Sequence, residues 1–281
     1  MSEALSYDRD SQPEKTSPAG TYAALLGSRD AIAVDRQAAD ELTAIAPQAR
    51  AVARANYEFS GRAAAEAVKE LLPRAHPALI RVLNIGCGIT TDVPLASVED
   101  QVHHVDKSAL VVGIDNDPKV LAHTRAQPGY GGVLPGDVRD VDALFTDPAL
   151  RELIDLDEPM VVVLAAVLHF VPNAARVMQD LRNWLTPGSF VVLSHATTTA
   201  TAQDRVEDMT EVYERQATDP IFFRSEEEIR ALVRGWRITK HGLRDVAVWG
   251  RPEARACQGE QSVRVVGLVA ELTGLSEGGA R

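Results

Sequence analysis

Hydrophobic positions follow two patterns along the chain, one before and one after Pro77. Between Tyr22 and Leu72, apolar residues recur every three or four positions, as they do on the buried face of an α-helix. Beyond Pro77 the apolar residues form short runs that are rich in β-branched side chains. These runs cover residues 79–85, 109–114, 132–134, 160–165 and 190–194. Because the runs lack alternating polar positions, they are typical of strands buried on both faces of a parallel sheet.

Helical stretches separate these runs, so strand and helix alternate along the second part of the chain. Asp117 followed by Pro118, for example, is a helix-start signal, an N-cap residue before a proline in the first turn. Two later runs, at residues 236–240 and 262–269, could pair antiparallel at the edge of the sheet. We therefore predict an α/β fold with a doubly wound, mostly parallel, seven-stranded sheet and a helical N-terminal extension.

The same patterns divide the chain into four parts. Residues 1–18 are rich in Ser, Asp, Glu and Pro, so we expect a disordered tail. Residues 19–76 form a helical N-terminal segment that could act as a lid, residues 77–272 form a Rossmann-like domain, and residues 273–281 form a flexible C-terminus. We interpret the polar stretch at residues 99–108 as an insertion between the first two strands.

The overall composition narrows the class of protein. The chain has 45% hydrophobic and 25% charged residues, as ordinary globular proteins do. A formal net charge of -11 argues against nucleic-acid and anionic-membrane partners. The longest apolar stretch, residues 160–171, is too short to span a bilayer. Cys87 and Cys257 lie far apart without metal-ligand spacing, so we predict no disulfide framework and no metal site, and we expect a cytoplasmic protein.

The clearest candidate ligand site follows the first strand run, where Gly86 and Gly88 flank Cys87. Glycine is needed where a strand turns sharply and the backbone approaches a ligand, because a Cβ atom would block that approach. A Gly-x-Gly pair is also common in ordinary tight turns. The second run ends at Asp115, where a carboxylate can accept hydrogen bonds from both hydroxyls of a ribose. The alternative is that Asp115 is only a turn residue.

Two further features indicate which nucleoside cofactor would bind. Thr91 stands where a dinucleotide fingerprint has its third glycine, which argues against NAD and FAD. Asp137 follows the third run, at the place where a carboxylate would recognise the amino group of adenine. One glycine turn, one acid for the ribose and one acid for the adenine fit S-adenosylmethionine. An NAD(P)-dependent oxidoreductase is the alternative enzyme.

Three segments, at residues 84–88, 113–118 and 136–140, resemble the first three motifs of class I S-adenosylmethionine-dependent methyltransferases. Residues 165–172 and 187–197, with N-terminal stretches at 22–36 and 53–56, more narrowly resemble a bacterial S-adenosyl methyltransferase family long described as a domain of unknown function. The resemblance covers roughly residues 18–269 and implies the Rossmann-like class I methyltransferase fold. The cofactor-binding residues that it implies are Asn84, Gly86, Cys87, Gly88, Asp115, Asn116, Asp137, Val138 and Ala165.

The chain departs from the pattern of that family at five positions, which fall in three places. Asn84 stands where the family usually has Asp, and Gly20 stands where an Arg usually precedes Tyr22 by two residues. Residues 27–31 read Gly-Ser-Arg-Asp-Ala instead of Gly-Gly-Lys-Asp-Asn. Asparagine can still accept a hydrogen bond, so we expect cofactor binding to survive. The N-terminal departures motivate a third hypothesis, a cofactor-binding protein without turnover.

Five residues are candidates for catalysis or for further binding contacts. His169 and His195 follow the fourth and fifth runs, whose carboxyl ends face the ligand crevice of an open α/β sheet. Either could remove a proton from a methyl acceptor, and His195 could also contact the substrate; the alternative for His169 is a core histidine. Arg54 and Asn56 lie on a helix before the first strand, and we predict that both bind the cofactor, with the guanidinium meeting its carboxylate. The alternative for Arg54 is an exposed helix charge. Tyr22 could line the acceptor pocket or pack as an anchor.

The expected partner is a small-molecule methyl acceptor. The residues do not indicate its identity, nor whether oxygen, nitrogen or carbon is methylated. A late exposed strand could also pair with a second copy of the chain and form a homodimer.

Overall fold

The computed structural model describes residues 15–74, 79–89, 92–125, 133–251 and 263–274. Its central feature is one mixed sheet. The strands are β1 (Arg81–Ile85), β2 (Leu110–Asp115), β3 (Val133–Pro135), β4 (Val161–Ala165), β5 (Phe190–Thr197), β6 (Trp236–Ile238), β7 (Arg244–Asp245) and β8 (Arg264–Leu272). Every run that the sequence pattern predicts to be a strand contributes one, with ends that shift by a few residues.

The strand order is β3-β2-β1-β4-β5-β8-β6, and the two-residue strand β7 also pairs with β8. Strands β1 to β5 run parallel to their neighbours, whereas β8 is antiparallel to β5, β6 and β7. The predicted α/β class and mostly parallel sheet are confirmed. The sheet has eight strands where the sequence pattern predicts seven. The extra strand arises because β6 and β7 pair with successive stretches of the same edge of β8.

This topology places β8 inside the sheet. The sequence pattern had suggested that a late strand is exposed and available to a second copy of the chain. In the structure β8 has β5 on one side and the short strands β6 and β7 on the other, so its backbone groups are paired within the chain. A homodimer stays an untested prediction.

Helices connect the strands and flank the sheet. They are α1 (Pro18–Leu26), α2 (Ala33–Ile45), α3 (Ala49–Leu71), α4 (Val98–Val105), α5 (Pro118–Arg125), α6 (Val141–Thr146), α7 (Pro148–Arg151), α8 (Ala174–Trp184), α9 (Gln203–Gln216) and α10 (Glu226–Leu232). The interpretation of residues 99–108 as an insertion is wrong, because helix α4 occupies most of them and is the crossover between β1 and β2. Val98 and Val102 are the buried anchors of this otherwise polar helix, which explains why it was not recognised.

The N-terminal segment does two different things. Helix α3 is a layer of the main domain, since Phe59 and the small residues that follow it pack on the sheet. A Cβ placed on Gly267 of β8 would lie 2.4 Å from the Phe59 ring, so the glycine makes room for this ring. Phe59 also meets Trp249 edge-on, with 5.2 Å between the ring centroids. Full burial of a phenylalanine contributes about 1.5–3 kcal/mol to stability. Helices α1 and α2 instead pack beyond the sheet, against α3 and α9.

The predicted disordered tail ends earlier than expected. Thr16 is 1% exposed and pairs in a parallel bridge with Ala217, just after α9. Ser17 caps α1 by accepting a hydrogen bond from the backbone N–H of Gly20 at 3.1 Å. Residues 15–18 are therefore part of the fold, held by backbone pairing that the local composition does not reveal. The rest of the predicted tail, and residues 275–281 of the predicted flexible C-terminus, lie outside the described residues.

Apolar side chains bury both faces of the sheet. One face packs against α6, α8 and α10, and the other against α3 and α4. A third cluster joins α1, α2 and the start of α3 to α9, above the carboxyl ends of the parallel strands. In the part of the chain that the structure describes, no helix is both long enough and apolar enough to cross a membrane.

Candidate functional site

A cavity of about 490 Å³ lies between the carboxyl ends of the parallel strands and the N-terminal helices. The order of the strands reverses between β1 and β4, and ligands bind open α/β sheets in the crevice outside that point. The volume falls within the range of small-molecule and cofactor sites, about 300–1,000 Å³. Most residues that the sequence analysis assigned to a ligand line this cavity. They are Tyr22, Asn56, Asn84, Gly86, Cys87, Gly88, Asp115, Asn116, Asp137, Val138, Ala165 and His169.

The turn after β1 uses both of its glycines, for different reasons. Gly86 and Gly88 have φ angles of +66° and +69°, a conformation that favours glycine. A Cβ on Gly86 would lie 2.5 Å from the Val167 side chain, so Gly86 is needed for packing. Among the described residues, no atom lies within 4 Å of a Cβ placed on Gly88. Gly88 therefore leaves room beside the backbone of the turn, and its contact with a ligand stays a prediction.

Asp115, at the end of β2, is bonded to this turn. Its Oδ2 accepts a hydrogen bond from the backbone N–H of Gly88 at 2.9 Å, and its Oδ1 accepts one from Asp117 at 2.9 Å. Burial raises the pKa of the Asp115 carboxyl, and the backbone hydrogen bonds oppose that rise. Each oxygen keeps a second acceptor site, so the carboxylate can still take hydrogen bonds from a pair of hydroxyls.

Cys87 faces the same carboxylate. Burial, and then the charge of Asp115, raise the pKa of its thiol. The thiol therefore stays protonated at neutral pH, and Cys87 acts as a small apolar wall residue and not as a nucleophile.

Asp137, the residue assigned to adenine, already has partners. Arg139 donates from Nε to Oδ1 and Oδ2, both at 2.9 Å, and from the NH2 group to Oδ2 at 2.6 Å, while Asn116 donates to Oδ2 at 3.0 Å. Burial raises the pKa of Asp137, but the bonds from Arg139 and Asn116 outweigh it and lower the pKa overall. Arg139 also bonds Asp219 at 3.0 Å. Asp137 would have to lose one of its hydrogen bonds from Arg139 or Asn116 before it could accept a hydrogen bond from an adenine amino group.

The end of β4 carries backbone strain. Ala166 has a φ angle of +58°, which is uncommon for a residue with a side chain. Its backbone N–H donates to Oγ of the buried Ser194 at 2.8 Å, and this bond helps to hold the turn. Ala165 and Asn84, on neighbouring strands, line the cavity beside it. The strain thus lies where the backbone approaches the cavity.

His169 lines the cavity, but the structure favours a donor role over a base. Its Nδ1 accepts a hydrogen bond from the backbone N–H of Ala196 at 3.4 Å. A neutral imidazole carries its single proton on the other nitrogen, so Nε2 is an N–H donor. Burial, and then the nearby His195 and Arg224, hold the pKa of His169 well below its usual range. Its one lone pair is used by the backbone, so His169 is poorly suited to accept a proton.

His195 does not reach the cavity. It is fully buried, and Ala196, the next residue along β5, lines the cavity instead. Side chains alternate between the two faces of a strand, so His195 points to the opposite face. There its Nε2 lies 2.7 Å from the guanidinium of Arg224, and its Nδ1 lies 2.7 Å from the carbonyl oxygen of Ala196. The structure thus corrects the assignment of His195 to catalysis and substrate contact.

Arg224 is a positioning residue that sequence reasoning missed. Its guanidinium donates to the carbonyl oxygens of Leu168 at 2.9 Å and Val171 at 2.8 Å, and to His195. A guanidinium cannot accept a hydrogen bond, so His195 Nε2 must be the acceptor and His195 must be neutral. Burial lowers the pKa of His195 to about 4. Arg224 therefore anchors the short 3-10 turn (Leu168–Phe170) that carries His169.

Arg54 lies outside the cavity lining. It is exposed, and its guanidinium donates to the carbonyl oxygen of Leu26 at 3.1 Å. Two positions further along α3, Asn56 is buried and lines the cavity. The difference follows from the helix, in which residues two apart point in different directions. The structure places Asn56, and not Arg54, where it can meet a ligand.

The remaining walls of the cavity are apolar and aromatic. They come from α1, α2, α3, α9, the 3-10 turn and the segment that follows α9. We call this part the acceptor lobe and define it by Tyr22, Leu25, Leu26, Leu42, Val52, Ala53, Asn56, Tyr57, Phe170, Met209, Tyr213, Ile221 and Phe223. Most of these residues were missed. The helical spacing of Met209 and Tyr213 predicts that they share the apolar face of α9. The sequence does not indicate which element that face packs against.

A short strap borders the cavity on the side of Asp137. Ser17, Pro18 and Ala19 line it from the N-terminal segment, and Asp219 lines it from the segment after α9. Backbone hydrogen bonds join the two segments: Thr16 N–H donates to Gln216, and Thr218 N–H donates to Thr16, both at 2.9 Å.

Comparisons with known proteins agree with this geometry. Residues 6–273 match a family described as S-adenosyl methyltransferase. The fold is similar to that of a DUF574 family protein from Streptomyces avermitilis MA-4680, with 24% identity, 92% of this chain and 97% of the other covered, and a TM-score of 0.79. A protein from Thermobifida fusca YX, provisionally described as a methyltransferase, gives a TM-score of 0.79 at 24% identity, with coverages of 92% and 96%.

A more distant likeness is to the plantazolicin methyltransferase BpumL, solved in complex with a triazolic desmethylPZN analog and SAH. The two chains are 10% identical, with 90% of this chain and 96% of the other covered and a TM-score of 0.51. No curated protein matches the sequence.

Proposed function

Because this chain belongs to the S-adenosyl methyltransferase family, we propose that it transfers a methyl group from S-adenosylmethionine to a small-molecule acceptor. The observation that carries the proposal is the composition of this cavity. Its strand-end wall has a glycine turn and a buried carboxylate, and its opposite wall is the apolar acceptor lobe. A polar nucleoside and an apolar methyl acceptor would meet where these two walls join.

The residues present fit the cofactor. Gly88 leaves room at the turn, and Asp115 can accept hydrogen bonds from ribose hydroxyls. Asn116, Asp137 and Val138 lie at the ends of β2 and β3, where an adenine would lie. When bound, S-adenosylmethionine supplies a methyl group that its sulfonium centre has already activated for in-line displacement.

The chain contributes orientation and the exclusion of water. Methyl transfer is accelerated when the two reacting groups are held in line at contact distance in a dry site. The strap and Met209 and Tyr213 of α9 line the cavity, and with ligands bound they would help to keep water away from the reacting groups. Cys87 stays a protonated thiol, so it does not compete as a nucleophile.

His169 is proposed to orient the acceptor and not to deprotonate it. Nδ1 of the neutral ring accepts the hydrogen bond from the Ala196 N–H, so the ring carries its proton on Nε2. This Nε2–H group is the donor that we assign to the acceptor. A donor at this place can hold an oxygen or nitrogen atom of a ligand. The nucleophile then loses its proton to solvent after the methyl group has been transferred.

A small-molecule acceptor is supported by the shape and charge of the site. The strap borders the cavity and narrows the space open to a macromolecule, and the net charge of -11 repels nucleic acid. The structures of similar fold do not identify the acceptor, since BpumL shares only 10% identity.

Parallel calorimetric titrations with S-adenosylmethionine, S-adenosylhomocysteine and NAD test the proposal. We expect micromolar binding of the first two and none of NAD. The same protein is then incubated with radiolabelled S-adenosylmethionine and fractionated small-molecule extract, where label should move into one or a few fractions. Binding of NAD alone would replace the proposal with the oxidoreductase hypothesis. Cofactor binding without label transfer to any fraction would leave a cofactor-binding protein without turnover.

A further inference from the structure

The acceptor lobe contains a buried amide whose orientation is set by the protein. Asn56 is 2% exposed and lies in the cavity wall. Its Nδ2 lies 2.9 Å from the hydroxyl oxygen of Tyr22, and the Tyr22 hydroxyl donates to the carbonyl oxygen of Ala53 at 2.9 Å. The Tyr22 hydroxyl has one hydrogen, which Ala53 takes, so its oxygen must accept from Asn56. This order places the NH2 group of the amide toward Tyr22 and its oxygen away from it.

The oxygen of this amide lacks a protein partner. Among the described residues, no donor lies within hydrogen-bond distance of the buried Oδ1 of Asn56. Leaving a buried carbonyl unpaired costs about 1–3 kcal/mol, which a ligand with an O–H or N–H group would recover. Burial raises the pKa of the Tyr22 hydroxyl, so the Tyr22 proton, and with it the orientation of the amide, persists through the neutral range.

The surroundings of Asn56 restrict the rest of the ligand. The neighbouring walls are apolar or aromatic, and the hydroxyls of Tyr57 and Tyr213 lie close enough to Tyr22 to affect its pKa. Among the described residues that line the cavity, Arg139 is the one Lys or Arg side chain, and Asp137 and Asp219 hold it. The acidic residues of the cavity lie at the strand ends, at the start of α4 and in the strap, and the acceptor lobe as defined has no charged side chain. Neither an anionic nor a cationic acceptor would find a counter-charge there.

On the basis of the proposed function, we propose that the methyl acceptor is an uncharged, largely apolar, ring-containing molecule that donates one hydrogen bond to Asn56 Oδ1. Aromatic walls favour a flat ring system, since aromatic pairs gain energy beyond the area they bury. Asn56 is then a residue that determines acceptor specificity. The sequence analysis assigns Asn56 to the cofactor. The two assignments make different predictions, because loss of the amide should weaken acceptor binding in one case and cofactor binding in the other.

Three naphthalene probes test the class of acceptor. Binding of 2-naphthol, 2-methoxynaphthalene and 2-naphthoate is measured on the full chain saturated with S-adenosylhomocysteine. We expect 2-naphthol to bind about tenfold more tightly than its ether, the effect of one buried hydrogen bond. We expect 2-naphthoate not to bind. Equal binding of the phenol and the ether, binding of the naphthoate at the level of the phenol, or failure of all three to bind would overturn the proposal.

The variant Asn56→Leu, which removes the amide at similar volume, tests the residue. Its preference for 2-naphthol over the ether should fall below about threefold, while its affinity for S-adenosylhomocysteine stays within twofold of the unmodified protein. Asn183→Leu, the same change at an exposed position of α8, is the matched control and should alter neither quantity. A tenfold loss of S-adenosylhomocysteine affinity with an unchanged naphthol preference would assign Asn56 to the cofactor instead.

A second variant covers the case in which Asn56→Leu does not fold. Tyr22→Phe keeps Oδ1 but releases the amide, which can then rotate and offer its NH2 group, so the preference for the phenol should again shrink. An undiminished preference in Tyr22→Phe would argue against the orientation described above. Failure of the unmodified protein to bind S-adenosylhomocysteine at all would instead contradict the proposed function, and that titration comes first.

Discussion

The carboxylate of Asp115 accepts a hydrogen bond from the backbone N–H of Gly88 at 2.9 Å. This contact joins the end of β2 to the turn after β1, so the two elements that would hold a ribose and the neighbouring part of a nucleoside move as one unit. Asp115 therefore supports the shape of the site and also offers its remaining acceptor sites to a ligand.

Asp115→Asn is expected to weaken S-adenosylmethionine binding by about 1–3 kcal/mol. The amide has one acceptor oxygen and no charge, so it cannot serve two backbone N–H groups and a pair of hydroxyls together. Calorimetric titration measures the loss, and circular dichroism checks folding. Asp157→Asn, at an exposed position away from the cavity lining, is the control. An unchanged affinity in folded Asp115→Asn would show that the ribose lies elsewhere.

The two buried histidines are expected to carry their protons on opposite nitrogens. His169 should be the Nε2–H tautomer, because Nδ1 accepts the Ala196 N–H. His195 should be the Nδ1–H tautomer, because Arg224 donates to Nε2. Nitrogen-15 NMR of the imidazole rings distinguishes the tautomers without any knowledge of the acceptor. If His169 instead titrated near pH 6.5, its assignment as a donor would be wrong and a role as general base would be restored.

Burial of neutral His195 should make stability depend on pH. Its pKa of about 4 in the folded state lies below the ordinary value of 6.5. Between these two values the unfolded chain binds more protons, so this contribution is complete above pH 6.5 and is lost as the pH falls toward 4. The full contribution is on the order of 3 kcal/mol.

His195→Asn tests this, since an amide can also donate and accept but does not titrate. Urea denaturation at pH 7.0 and pH 4.5 gives the two unfolding free energies. The fall between the two pH values should be roughly 2 kcal/mol smaller for the variant than for the unmodified protein. Parallel falls in the two proteins would mean that His195 is not held neutral by the fold.

Loss of the Arg224 guanidinium should loosen the turn that carries His169. Arg224→Met removes the charged donors to the carbonyl oxygens of Leu168 and Val171 and should lower the free energy of unfolding by about 2–3 kcal/mol. Arg230→Met, which removes one exposed ion pair with Glu226, should cost less than about 1 kcal/mol. Denaturant unfolding of both variants makes the comparison, and equal losses would contradict a special role for Arg224.

Gly20 is predicted to be required by Asp35. A Cβ on Gly20 would lie 2.4 Å from Oδ1 of the Asp35 carboxylate, which also accepts a hydrogen bond from Thr16 at 2.6 Å. Replacing glycine by alanine within a helix usually gains up to about 1 kcal/mol. Gly20→Ala should instead destabilise the protein by about 1–3 kcal/mol through overpacking.

A double-mutant cycle checks the cause of that loss. In an Asp35→Ala background the space beside Gly20 is open, so Gly20→Ala should become neutral or stabilising. The coupling between the two substitutions measures their contact. If Gly20→Ala cost the same in both backgrounds, the requirement for glycine would come from something other than Asp35.

The part of the site that the sequence predicted lies at the carboxyl ends of neighbouring strands. Gly88 and Asp115 each follow a buried strand, and parallel strands bring their carboxyl ends to one edge, so the proximity of these residues follows from the order of the elements. The strand runs were found for the same reason, since burial on both faces leaves a continuous apolar stretch.

Residues whose role depends on direction or on distant partners were not predictable in this way. His195 lies in the strand next to the cavity, but a strand buried on both faces gives no polar alternation that would tell which face a residue is on. The sequence identified Asp137 as a candidate, but not the hydrogen bonds that its carboxylate accepts from Arg139. Arg139 is also held by Asp219, which lies in the distant segment after α9. Thr16 sits in a polar stretch, and only its pairing with Ala217 makes it part of the fold.

The sequence by itself determined the α/β class, the strands, the glycine turn and the acids at the strand ends, because these depend on hydrophobic periodicity and on backbone conformation within a few residues. Tertiary structure alone decided which histidine reaches the cavity, how the amide of Asn56 is oriented, and how α1, α2, α3 and α9 build the acceptor lobe. Those properties depend on which faces of separate elements meet, and packing between distant parts of a chain is not encoded in any one stretch of it.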